Sequence, residues 1–129
     1  MAEDLILADT SLLIDFFRKT DKSKTHLLNL LKKGHKFCIC VITEYEIYSG
    51  ATDDQLDYWR EFLEKITVLP LDSSAISEAV TTNKLLKIKN KQIDLADLLI
   101  AAIALSNNLP LATLNKKHFN KIESLELVE

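Results

Sequence analysis

The sequence predicts an α/β domain in three layers, with a mostly parallel central sheet flanked by helices. Three observations predict it. Short apolar runs alternate with amphipathic segments along the chain, the order that βαβ units produce. Only two Gly and two Pro occur in 129 residues, so long regular elements and short loops are expected. The composition is globular, 47% hydrophobic and 27% charged, and the length suits a single domain spanning 1–129.

The elements follow in order. "LILA" (5–8) is short and apolar, as a strand buried on both faces should be. "TSLLIDFFRK" has helical spacing, with Leu12, Leu13, Phe16 and Phe17 on one face and Thr10 or Ser11 as cap. A second amphipathic helix is expected over 22–33, with Leu27, Leu28, Leu30 and Leu31 inside and Gly34 as its stop. "KFCICVIT" (36–43) reads as a strand, and "EYEIYSG" (44–50) as a short helix. Residues 53–66 form an acidic-start helix burying Leu56, Trp59, Phe62 and Leu63. "TVLPL" (67–71) suits a strand near a sheet edge, because Pro70 cannot donate to a ladder. Helices are expected over 72–88 and 94–108, a strand over 109–115, and a further strand candidate is the tail "SLELVE".

Several function classes are excluded at this level. A net charge of −3 gives no global attraction to nucleic acid, so any basic surface is local. Cys38 and Cys40 share a strand face, are poorly spaced for a direct bridge and lack a second pair for zinc; they are expected as buried free thiols. The start "MAEDLILADTSLL" lacks a basic region, and no stretch reaches the ~18 apolar residues of a membrane span. A soluble cytoplasmic protein with no membrane partner is expected. There is no Gly-rich phosphate loop, and His26, His35 and His118 show no zinc-protease spacing.

The informative residues are acidic. In "IDLADLLIAA" (93–102), Asp94 and Asp97 lie one helical turn apart. Asp94 suits the N-cap, and Asp97 the first turn. Yet "LLIAAIA" reads as buried nearly all round, so a carboxylate at its mouth is expected to face positive charge. In parallel sheets, ligands gather at the carboxyl ends of strands. Asp9 follows the first strand, Glu44 and Glu46 the second, and Asn115 closes a later one. Taken singly, Asp9 also reads as a helix cap and Glu46 as a solvated residue. Taken together, converging carboxylates repel in a desolvated cleft, and Mg²⁺ or Mn²⁺ removes that cost. Two such ions about 4 Å apart can activate a water and stabilise the leaving oxygen of a phosphodiester. The lysines Lys84, Lys87, Lys89 and Lys91 before Asp94, and Lys116 and Lys117 after Asn115, form either a solvated face or a grip on nucleic-acid backbone.

The ordered set "LADTSLLIDFF", "VITEYEIYSG", "IDLADLLIAAIAL" and "LATLNKKHF" resembles the PIN-domain ribonucleases, most of all the VapC toxins of toxin–antitoxin pairs. The likeness covers nearly the whole chain. It implies a PIN-like fold, Mg²⁺-dependent endonucleolytic cleavage of RNA (tRNA or rRNA in relatives), a homodimer, and a cognate antitoxin protein. By the resemblance, the family's first Asp falls on Asp9, its Glu on Glu46 with Glu44 the lesser candidate, and its Asp before "LIAA" on Asp97. These three are the expected catalytic and metal-binding residues. Secondary candidates are Asp94, Asn115, Thr10, Ser11 and Thr113, and Lys91, Lys116 and Lys117 are candidates for holding RNA backbone. In the family's last motif Asn115 and His118 stand at the acidic positions, so a fourth carboxylate is missing. The alternative reading is therefore a PIN-like module that binds RNA or a partner without a complete second metal site. A phosphoacceptor signalling domain would need an acidic pair beside Asp9, which "LILADT" lacks.

Overall fold

In the computed structural model, residues 4–128 are described. Strand β1 (Asp4–Ala8) leads into α1 (Thr10–Arg18); α2 (His26–Lys32) then precedes β2 (His35–Cys40). Next come α3 (Val41–Gly50), α4 (Asp53–Glu64), β3 (Val68–Leu69) and α5 (Ser73–Ile88). The chain ends with α6 (Leu95–Ser106), β4 (Leu111–Ala112) and α7 (Lys116–Phe119). The sheet has the order β3-β2-β1-β4, and its named pairs are all parallel. β1 is central, pairing Ile6 with Phe37 of β2 and Ala8 with Ala112 of β4.

Strand alternation divides the interior into two cores, one on each face. Leu7, Cys38, Cys40 and Leu111 point to one side, where they meet α5, α6 and Phe119. Ile6, Ala8, Ile39 and Ala112 point to the other, against Leu12 and Leu13 of α1, Leu27 of α2, and Trp59 and Leu63 of α4. This is the three-layer arrangement the alternation of elements predicted. Residues Ile100 to Ala104 of α6 are buried without interruption, as "LLIAAIA" implied. Both cysteines are free and buried, and burial pushes the Cys38 thiol up to about 11. Among the described residues no helix is long and apolar enough to cross a membrane.

The local differences have physical causes. The second strand ends at Cys40 rather than at 43, and Val41–Thr43 open α3 instead. β3 pairs only with Ile39 and Cys40, so the β-branched run beyond them has no ladder to join and buries Thr43 and Ile47 through a helix. The expected helix over 22–33 begins as a single 3₁₀ turn, Lys22–Lys24, and the α-helix starts only after Thr25. Thr25 is fully buried and its Oγ1 accepts from the Leu28 amide at 3.4 Å. Leu27 and Leu30 are inside, whereas Leu31 faces solvent. The expected strand over 109–115 shrinks to two residues, because Pro110 donates no hydrogen bond and Thr113 leaves the ladder. The tail contributes one parallel bridge, Leu111 with Leu127, and no strand. α6 stops at Ser106, followed by Asn108 at φ 55°.

Ile103 packs at the centre of the α6 face and is fully buried. Ile103→Ala is expected to lower the unfolding free energy by about 2–5 kcal/mol. Urea denaturation measures this, and a loss under about 1 kcal/mol contradicts the tight packing of that face.

Candidate active site

Parallel neighbours in a sheet end at the same edge, and this places Asp9 beside the exit of β4. The Asp9 amide donates to the Ala112 carbonyl at 3.1 Å, and the side chain caps α1. Of the cap candidates Asp9, Thr10 and Ser11, Asp9 takes the position because it is the last residue in extended conformation. Its Oδ1 accepts from the Ser11 amide at 3.0 Å and the Ser11 hydroxyl at 2.5 Å. Its Oδ2 accepts from the Thr113 hydroxyl at 2.5 Å. These hydroxyls are themselves anchored: Ser11 Oγ accepts from the Leu114 amide at 3.0 Å, and Thr113 Oγ1 from the Asn115 amide at 2.9 Å. Thr113 departs from the strand ladder to complete this network.

Two further carboxylates arrive from other elements. Glu46 lies on α3, where its Oε1 accepts from the Thr10 hydroxyl at 2.6 Å; that hydroxyl also lies 3.2 Å from the buried Thr43. Asp97 sits in the first turn of α6, with Oδ2 3.3 Å from His118 Nδ1. Asp9, Glu46 and Asp97 line one cleft of about 670 Å³ together with Thr10, Ser11 and Asn115. Residues separated by most of the chain thus share one concavity at the carboxyl ends of the strands. Asp94 does not join them: it occupies the N-cap position of α6, exposed, without a side-chain capping bond. Lys91 and Glu44 also lie off this cleft, and Lys116 and Lys117 line a neighbouring one.

Burial raises the Asp9 pKa, opposed only by hydrogen bonds from Ser11, Thr113 and the backbone. Among the described residues no cation holds this carboxylate ionised, although Arg18 and Lys19 stand further along the cleft wall. Lys19 is engaged by Asp15 at 2.9 Å. Arg18 and Asp15 were missed in the sequence, yet a signal existed: Ser11, Asp15 and Arg18 recur at helical spacing on the polar side of α1.

The donor set suits a hard divalent cation, since carboxylate and hydroxyl oxygens gather around a buried acid that no cationic side chain contacts among the described residues. In the arrangement described, each carboxylate is instead turned to a protein partner. Among the described residues no three acidic, His or Cys side chains converge closely enough to hold an ion.

Comparison with known proteins follows the same outline. Residues 6–125 match the PIN domain family. Ribonuclease VapC1 of Methanocaldococcus jannaschii is 34% identical over 126 residues, covering 97% of this chain and 86% of that protein. The VapBC2 complex of Rickettsia felis bound to promoter DNA contains a similar chain, with a TM-score of 0.84 and 24% identity over 96% of this chain and 97% of that one. A toxin–antitoxin complex from Klebsiella pneumoniae gives 0.73 and 26% identity, over 93% of this chain and 94% of that one.

The electrostatics of Asp9 have a measurable consequence. A carboxyl raised above its ordinary value of 3.8 stabilises the fold below that value, and this contribution is lost as pH rises through the folded-state pKa. Asp9→Asn keeps a capping acceptor and removes the charge. It is expected to raise the Tm at pH 7, without divalent ions, by about 2–5 °C. Calorimetry across pH should show the gain narrowing toward 3.8. A Tm below wild type at neutral pH contradicts an uncompensated charge at Asp9.

Proposed function

This chain belongs to the PIN domain family, and from that premise we propose that it is a metal-dependent endoribonuclease, the toxin of a toxin–antitoxin pair. The observation that carries the reading is the gathering of Asp9, Glu46 and Asp97 in one cleft at the strand ends. The ribonuclease relative aligned over 97% of the chain supports the chemistry. A bound Mg²⁺, or Mn²⁺, would be held by Asp9 and Asp97 with Glu46 in support, and supplies charge neutralisation and water activation for phosphodiester hydrolysis.

The chain's own residues prepare that site. Ser11 and Thr113 fix both oxygens of Asp9, so its orientation costs no reorganisation when substrate arrives. α6 is packed nearly all round and holds Asp97 on a rigid support. Thr10 aims Glu46. Asn115 lines the cleft and offers an amide to orient a water or a phosphate oxygen. Lys116 and Lys117, on the neighbouring wall, suit the RNA backbone. The antitoxin is proposed as a protein partner because chains of this fold occur in toxin–antitoxin complexes. Homodimerisation, a cytoplasmic location and tRNA or rRNA targets belong to the same proposal.

A second reading keeps the fold and the RNA but drops turnover. It rests on His118, which stands at a family acidic position and engages Asp97. RNA cleavage separates the two. Wild type with Mg²⁺ should cleave single-stranded RNA, EDTA should abolish it, and Asp9→Asn and Asp97→Asn should each lower kcat/KM on the order of 100-fold or more. Wild-type rates in both variants sink the site assignment. Absence of cleavage, together with absence of Mg²⁺ or Mn²⁺ binding by calorimetry, favours the binding module.

A further inference from the structure

Beside the acidic cleft lies a second one of about 740 Å³, between α2 and the loop from β4 into α7. Its rim is polar and cationic: His26, Asn29 and Lys33 on the α2 side face Lys116, Lys117 and His118 on the other. Its floor is apolar, built from Leu12, Leu30 and Val128. No Asp or Glu is among its lining residues within the described chain, whereas the neighbouring cleft carries Asp9, Asp15, Glu46 and Asp97. On a chain of net charge −3, this is a local reversal of sign.

The two clefts adjoin. Leu114 and Asn115 line both, and Leu114, 41% exposed, forms the ridge between them. His118 belongs to the second cleft while its Nδ1 reaches Asp97 in the first. We propose that the second cleft seats an unpaired nucleotide adjoining the scissile phosphate, with its base on the apolar floor and its phosphates on Lys33 and Lys117. This rests on the ribonuclease reading above, and adds the α2 wall as a substrate-holding surface. The volume falls within the roughly 300–1,000 Å³ usual for ligand sites. The occupant is a single strand, because a base reaches an apolar floor only when it is unstacked; a duplex presents its phosphates and keeps its bases inside.

The test is the affinity of a fluorescent single-stranded 12-nucleotide RNA, measured by anisotropy in EDTA so that no cleavage intervenes. Lys33→Gln/Lys117→Gln is expected to weaken binding about 10-fold and to flatten the salt dependence by about 0.7 per lysine removed. Asn29→Trp, which fills the cleft without removing charge, should weaken binding comparably. The control Arg60→Gln/Lys65→Gln, at exposed positions on α4 and at its C-cap that line neither cleft, should leave it unchanged. Equal losses in control and test variants, no binding by wild type, or equal affinity for the same RNA annealed to its complement each overturn the proposal. Loss of binding to a polyglutamate peptide with RNA affinity intact assigns the cleft to an acidic protein segment, and also overturns it. The catalytic reading is judged separately, by cleavage in Mg²⁺. A wild type that cleaves while the cleft variants bind normally removes the inference alone. A wild type that never cleaves while the variants lose affinity removes the catalytic reading alone.

Discussion

One buried carboxylate sets the local design of this molecule. Asp9 is only 3% exposed, and an ionised acid in that position is costly unless its oxygens are satisfied. Ser11, Thr113 and the α1 backbone satisfy them. To deliver those donors, α1 must start immediately after β1, and the chain leaving β4 must turn at Thr113 rather than extend the sheet. Leu114 and Asn115 are then fixed through Ser11 and Thr113, which locates the ridge between the two clefts. The same contacts stabilise the fold and orient the acid, but none supplies positive charge.

Precision elsewhere comes from packing. α6 is apolar around most of its surface, and small residues at Ala101, Ala102 and Ala104 let it lie close against its neighbours. A helix held that way cannot rotate without opening the core, so Asp97 in its first turn inherits a fixed direction. Glu46 is less constrained by burial and relies on Thr10, the residue next to Asp9. Its position is therefore coupled to the strand end that also holds Asp9.

The surface around this centre is divided by charge. Acidic side chains converge where β1, α3 and α6 meet, and lysines and histidines face one another across the adjoining cleft. A polyanionic strand is attracted by the second region and repelled by the first until cations neutralise it. Such a division favours binding away from the acids and chemistry beside them.

The sequence by itself determined the class of fold and most of the acidic site. The alternation of apolar runs with amphipathic helices required a parallel sheet between two helical layers, and the strand-end rule placed Asp9, Glu44, Glu46 and Asn115 at one edge; the family resemblance then singled out Glu46 and Asp97. These are local patterns, and local chemistry writes them. Strand lengths were not legible in this way: Val41–Thr43 has every β-propensity but no partner strand, and Thr113 is claimed by Asp9 from across the chain. The division between Asp94 and Asp97 was already drawn, from the helix-start pattern and the family resemblance, and packing gives it a geometry: Asp94 is exposed at the N-cap while Asp97 lines the cleft. The contact of His118 with Asp97 and the pairing of the α2 rim with Lys116 and Lys117 are likewise properties of the assembled structure. Tertiary structure decided them, because they depend on which distant segments meet, and no local pattern encodes that meeting.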